Sequence, residues 1–574
     1  MKDGDTYATR HASTAAGLQE AIDALAGGKG KVFIGPGTLE LTAAFYLTSN
    51  MMLEGCGSAT VLKRGSGMLG TVLIWDNGSA LSNVVLRDIT FDNDSLAVTT
   101  RDINLVGACQ NVIIEGCIWQ NLTNRVGDLA RISTSSTASK NIKIRNNTVV
   151  GPGSEQTYNS FQVFDSSDVD VTGNYIEGWG AIKVEGSSAA DLYNWNISRN
   201  RFKSVDQTNI FTRVQNASSV SGVVVADNNA TDCGKAFLAC DAVNASDTGL
   251  MRDITISNNA VRGFGVSLLD DAIQVGGVVT SGTFYCTNVT VVGNSLNGLK
   301  SDGTFPSTTE RGISVEAGTQ YVSVYANSVR NCGRSGIGIG ASDCVVSGNV
   351  VERCVRRDTT ASAPTPTQEG GIATFGNSVY SCKNVLITGN ICKNNGVDGT
   401  TTSNGITVSR NNTGTSEKHD VVGNRCYDDQ GTQTQAYGIA IGSAAGVSAD
   451  GSIISGNDVR GNATAGLLFQ GSATGLSYLD NIDSTATTIA SAATISIPLN
   501  GDDFHVTGTT NITNGVTVNA WDNGRIVTLI FDDILTMSDT GTSVLSAAYV
   551  TTANDTLTLR CDGTNWYEVS RSAN

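Results

Sequence analysis

Apolar and polar residues alternate in short bursts along most of the chain, and the bursts share a form: apolar-x-apolar-x-(Gly/Asn)-Asn. It occurs as NVIIEGC at 111–117, NIKIRNN at 141–147, DVDVTGN at 168–174 and NWNISRN at 194–200. It returns as DITISNN at 253–259, NVTVVGN at 288–294, YVSVYAN at 321–327, NVLITGN at 384–390 and SIISGN at 452–457. Period-two alternation gives a strand one buried face. Gly and Asn at its end accept the left-handed conformation that a sharp turn demands. The closing positions 147, 174, 200, 228, 259, 294, 327, 349, 390, 424 and 457 are all Asn, spaced from 22 residues (327 to 349) to 41 (349 to 390). Asn at one phase of every coil predicts an amide ladder along a solenoid, and coils of this length predict a parallel β-helix. Parallel crossovers are right-handed, so the expected fold class is all-β, a right-handed parallel β-helix.

A second strand recurs in each coil, as FQVFD at 161–165, AIKVE at 181–185, IFTRV at 210–214, AFLACD at 236–241 and AIQVG at 272–276. It continues as GISVE at 312–316, GIGIG at 336–340 and onward to GLLFQ at 466–470. Inward residues are expected to be Ile182/Val184, Phe237/Ala239, Ile273/Val275 and Ile313/Val315. GLQEAIDALA at 17–26 sets Leu18, Ala21, Ile22 and Leu25 on one helical face, a cap for the open end of the sheets. After about residue 480 the Asn pattern stops, and short alternating strands follow. The expected domains are an N-terminal segment and capping helix at 1–30, a β-helix at 31–485 and a small β-domain at 491–574.

Composition narrows the function. A net charge of −16 disfavours a phosphate backbone as partner, so no nucleic acid is expected. No run of about 18 apolar residues is present, so no membrane insertion is expected. The start, MKDGDTYATR, has no apolar core and is not read as a signal peptide. The 13 Cys are scattered without a CxxC pair and His is limited to 3, so the thiols read as small buried hydrophobes and zinc is not expected. No metal and no cofactor are expected, with calcium open for one alternative below.

From the ladder Asn to the second strand the gap is about 7 to 9 residues after Asn174, Asn200 and Asn228, but about 13 after Asn147 and Asn259, 18 after Asn294 and 22 after Asn349. Insertions at one phase build a wall beside the second sheet, a setting for function and for a polymer chain. Outward positions of the second strand include Arg131, Gln162, Phe164, Lys183, Glu185, Phe211, Arg213, Gln274, Ser314 and Glu316. Such a stripe is either a solvated face or a sugar-binding one, with rings under pyranose faces and charges on hydroxyls. LLDDAIQVGG at 268–277 puts Asp270 and Asp271 just before a second strand. STTERGISVEAG at 307–318 puts Glu310 and Arg311 at that phase one coil on. One coil back stand Lys235 and, at the strand's far end, Asp241. Acids on neighbouring rungs repel, so one pKa should rise, as an acid paired with a base or nucleophile requires. The expected catalytic set is Asp270, Asp271, Glu310 and Arg311. The expected substrate-binding set is Lys183, Glu185, Arg213, Phe211, Phe164, Lys235, Asp241 and Glu316. The acids could equally cap a strand.

The order helix, GKGKVFIGPGT at 28–38, then Leu53-Glu54-Gly55-Cys56-Gly57 resembles the entry of pectate-lyase-like β-helix proteins, including phage tailspikes. Gly35 stands where that family often has a second Pro. Residues 491–574 resemble the C-terminal β-domains of phage tail fibres and spikes. The resemblance implies a polysaccharide depolymerase, a homotrimer and a place outside the cell or on a virion tail. Asp270-Asp271-Ala272-Ile273 is similar to the Gly-Asp-Asp-Cys-Ile segment of polygalacturonases, with Leu269 for Gly and Ala272 for Cys, but the family's Gly-His-Gly and Arg-x-Lys motifs are missing. A hydrolase is expected first, inverting on resemblance with retention open. A lyase is the alternative, using Lys183, Arg213, Lys235 or Arg311 with Tyr158, or calcium held by the acids. A non-catalytic glycan-binding spike is the third possibility.

Overall fold

The computed structural model describes residues 11–25, 29–133, 138–153, 158–187, 191–242, 248–277, 286–356, 369–376, 381–396, 403–410, 416–442, 449–470, 475–483 and 487–573. The chain divides into two compact units, Met1–Glu310 and Arg311–Asn574, each built on coils of a right-handed parallel β-helix.

In the first unit a coil contributes a long strand, a corner at the ladder Asn, a short strand, a loop and the second strand. Ser139–Arg145, Ser166–Thr172, Asp191–Ser198, Ser219–Ala226 and Leu250–Ser257 pair in parallel, each with the next. The register aligns like with like: Val169 beside Trp195, Val223 and Ile254, and Val171 beside Ile197, Val225 and Ile256. All are buried. Fully burying each such side chain contributes about 1.5–3 kcal/mol.

The ladder is formed in each unit. Asn147, Asn174, Asn200, Asn228, Asn259 and Asn294 each pass a hydrogen bond to the next: every Nδ2 and backbone N–H of one donates to the Oδ1 of its successor at 2.9–3.1 Å. In the second unit Asn327, Asn349, Asn390, Asn424 and Asn457 continue in the same way to Asn481, which sequence periodicity did not pick out. The left-handed residue is the one before the ladder Asn, as at Asn146, Gly173, Arg199, Asp227 and Asn258. The turn is thus made one position earlier, which frees the ladder amide to point into the stack.

The helix is Ala15–Asp23, two residues earlier than expected, because Thr14 caps it by accepting from the Gly17 N–H at 3.1 Å. Leu18 and Ile22 are buried on it, whereas Ala21 and Leu25 are half-buried. All cysteines are free thiols and all but Cys56 are buried. No helix among the described residues is long and apolar enough to cross a membrane.

A charged cluster lies inside the early coils of the first unit. Asp102 is wholly buried and pairs with Arg64 at 2.7 Å and Arg125 at 3.0 Å, and Asn93 donates to it at 3.2 Å. Burial raises this carboxyl, but the two guanidinium groups outweigh that and hold it below the usual carboxylate range.

In the second unit, Ile313–Val315, Ile337–Ile339, Gly370–Phe375, Ser403–Arg410, Gln435–Ile441 and Ala465–Phe469 stack as the second sheet. The C-terminal part opens with parallel strands Thr487–Ala490, Asp503–Thr507 and Ile526–Phe531, then turns antiparallel through Asp555–Cys561 and Trp566–Ser572. It packs on the last coils: Trp521 meets Phe469 at 5.4 Å, and buried Arg525 stacks on Tyr478 at 5.5 Å while pairing with Asp522 at 3.3 Å.

His419 is buried in this unit, and burial pushes its imidazole down to about 3. The native state therefore refuses a proton that the unfolded chain takes up as pH falls below about 6.5. Stability lost this way is absent at pH 7 and grows as pH falls towards 3, by about 1.4 kcal/mol per pH unit. His419→Gln should remove about 2 kcal/mol of the difference between urea unfolding at pH 7 and pH 5. An unchanged difference would refute this.

Candidate functional site

The second sheet of the first unit presents two outward columns. Strand register sets Tyr46, Trp75, Asn104, Arg131, Gln162, Lys183, Phe211, Ala239 and Gln274 side by side on successive rungs. Beside it run Phe164, Glu185, Arg213 and Asp241. Rungs lie about 4.8 Å apart.

One strand sits a residue out of its expected phase. Leu238, not Phe237, is paired with inward Ile210, so Leu238 and Cys240 face in and Ala239 faces out. The alternation AFLAC is apolar at every position and cannot fix which set is inward. Phe237 is buried all the same, edge-on to Phe202 at 6.4 Å.

The expected binding residues of this unit interlock. Lys183 pairs with Glu185 at 2.6 Å and lies over the Phe164 ring at 5.2 Å. Arg131 stacks on the same ring at 4.8 Å. Arg213 grips Asp241 with two bonds, of 2.6 and 3.2 Å, and covers Phe211 at 4.0 Å. Burial pushes the Asp241 carboxyl up, against the pull of Arg213. Charges and rings on one face are therefore held in place by each other.

The acids stand at the C-terminal end of this face. Asp270 bridges Thr309 in parallel register, and its carbonyl accepts the Glu310 N–H at 3.1 Å. Asp271 follows Asp270 in the chain, and Glu310 follows Thr309. The Asp270 carboxylate accepts the Asp271 N–H at 3.0 Å. Burial raises the Asp270 carboxyl, and the Asp241 charge adds to this while Lys235 opposes it. The segment is pinned by Thr309, whose hydroxyl donates to the Phe264 carbonyl at 3.1 Å. Leu268 and Leu269 stand exposed at its lip. Among the described residues no three His, Cys, Asp or Glu side chains are grouped to hold a metal ion.

Arg311 and Glu316 belong to the second unit. There Arg311 approaches Glu316 at 3.5 Å, bonds Ser314 at 3.2 Å and stacks on Phe375 at 4.9 Å. A side chain at Gly338 would sit 2.7 Å from Arg311 Cδ, so that glycine makes the bed in which the arginine lies.

Sequence reasoning did not single out Tyr46, Trp75 and Asn104. Their strands, Phe45–Tyr46, Ile74–Trp75 and Ile103–Leu105, are short and precede the first ladder Asn. The alternation of Ile103 and Leu105 about Asn104 is the signal that was there to find.

No protein-family model matches this chain, and no curated protein does. Solved structures do. The A-module of a mannuronan C-5 epimerase from Azotobacter vinelandii is 16% identical with a TM-score of 0.33, over 75% of this chain and 91% of that one. A tailspike protein of E. coli bacteriophage HK620, in complex with a hexasaccharide, is 14% identical with a TM-score of 0.45, over 80% of this chain and 75% of that one. A family 28 exopolygalacturonase of Yersinia enterocolitica is 13% identical with a TM-score of 0.39, over 58% of this chain and 71% of that one.

Proposed function

We propose that this protein binds a polysaccharide along the outer face of the first unit and cleaves it as an endo-acting glycoside hydrolase. The observation that carries the reading is one continuous face: rings, amides and interlocked charges on successive rungs, ending in Asp270, Asp271 and Glu310. Rings offer stacking surface to sugar faces, and fixed charges and amides bond hydroxyls. Asp270, raised by burial, is suited to hold a proton for the glycosidic oxygen. Glu310 or Asp271 then activates water, or attacks the sugar directly. Rungs about 4.8 Å apart, widened by side-chain splay, reach the roughly 6.5–9.5 Å of inverting enzymes, and unsplayed they approach the roughly 5–5.5 Å of retaining ones.

On this reading the substrate is a bacterial surface glycan and the protein works outside the cell or on a virion tail. Exposed Ile534, Val550 and Val569 of the C-terminal part support the association of copies. A homotrimer would scatter light as about three times 59.6 kDa. The function is tested by incubating the protein with bacterial surface polysaccharides and acidic plant and algal glycans. New reducing ends without ultraviolet-absorbing unsaturated uronate are expected. Unsaturated products would replace the hydrolase with a lyase, and binding without products would leave a glycan-binding spike.

A further inference from the structure

The outward column extends well beyond the acids. Its N-terminal rungs carry Tyr46, Trp75, Asn104 and Arg131. Tyr46 is 40% exposed, and its ring lies 6.0 Å from that of Trp75 at a tilt of 37°. Neither ring fills the core, so the pair is a surface waiting for a flat apolar partner. On the next two rungs Asn104 Oδ1 and Arg131 Nε are both buried, and among the described residues neither has a hydrogen-bond partner. Each such unmade bond is a cost that a ligand reordering these side chains would recover.

The charge on this stretch is also unbalanced. Lys183 is answered by Glu185 at 2.6 Å and Arg213 by Asp241 at 2.6 Å. The acids whose charge reaches Arg131 are Asp128 and Glu185, and both are already paired, Asp128 with Arg101 at 3.1 Å and Glu185 with Lys183. Arg131 therefore shares the Phe164 ring with a second cation and, among the described residues, pairs with no carboxylate of its own.

We propose that Tyr46, Trp75, Asn104 and Arg131 form a holding subsite for an acidic glycan, with sugar faces on the two rings, a hydroxyl on Asn104 and a carboxylate on Arg131. This rests on the polysaccharide reading above and adds to it the charge of the substrate. The Arg131 rung lies about 24 Å along the axis from that of Gln274, beside the acids. The subsite thus grips the chain several sugars away from the bond that is cut.

The test uses the full chain and a panel of acidic bacterial and algal polysaccharides, each paired with its carboxyl-reduced, neutral counterpart, with affinity read by calorimetry. The best acidic binder should lose tenfold or more on carboxyl reduction. Arg131→Gln should abolish that preference, Arg131→Lys should keep most of it, and Trp75→Ala should weaken both forms alike. Equal affinity for both forms across the panel would overturn the proposal, as would a preference that survives in Arg131→Gln. The outcome is separable from the proposed reaction. A carboxylate preference without cleavage removes the hydrolase and leaves the subsite, and cleavage without the preference does the reverse.

Discussion

Asn228→Asp should destabilise the protein by more than 4 kcal/mol, and by more than Asn228→Ala, although Asp is the closer match in shape. Asn228 is 1% exposed. Its Nδ2 donates to the Ile197 carbonyl at 2.9 Å and to Asn259 Oδ1 at 3.0 Å, and its Oδ1 accepts the N–H and Nδ2 of Asn200 at 2.9 and 3.1 Å. Alanine deletes these bonds and strands the Asn200 N–H, a loss of about 3 kcal/mol. Aspartate keeps the acceptor but turns the donor into an oxygen aimed at two other oxygens, in a site where a charge cannot be hydrated. Chemical unfolding followed by circular dichroism reads the difference. A tolerated Asp would mean that the ladder bonds contribute little. Coils contact mainly their neighbours, so the damage should centre on the flanking rungs in hydrogen exchange.

Asp270→Asn and Glu310→Gln should each fold, and at least one should lose about 10²-fold or more in turnover while polymer binding persists. Both groups sit on the face and outside the core. Because burial raises the Asp270 carboxyl, its protonated form persists to a higher pH than an ordinary carboxylic acid. Activity that needs this proton is present below the raised pKa and lost as pH rises through it, so the alkaline limb of the rate profile belongs to Asp270. Stability carries the same sign: an Asp with a raised native pKa destabilises the fold once it ionises. Asp270→Asn should therefore be more stable than the parent near neutral pH, while less active. If both variants and Asp271→Asn turn over normally, the chemistry lies elsewhere, and Asp241, Glu185 and Glu316 come next.

The ladder and the strands were legible because they repeat. Period-two alternation ending in Asn at 147, 174 and 200 states both the strand and its phase. Where alternation is lost, as in AFLAC, the phase slipped by one residue. The pair Lys183–Glu185 follows from alternation within one strand, and Arg213–Asp241 from aligned coils, across 28 residues of sequence. The buried Arg64–Asp102–Arg125 cluster was not legible. Its members are 38 and 23 residues apart and look like ordinary surface charges until the coil closes around them. Arg311 was placed at the phase of the acids by the coil repeat, and its contacts with Ser314 and Glu316 were not legible.

The amide stack also governs how such a molecule diversifies. Successive ladder positions are joined by the same bonds whether 22 residues separate them, as Asn327 and Asn349, or 41, as Asn349 and Asn390. Loop closure costs only about 0.6 kcal/mol more for each doubling of length. Insertions can therefore accumulate at the wall of the face while the scaffold's registration stays constant. The face is uncoupled from folding, and a lineage can change what the loops present by grafting them between coils without rebuilding the core.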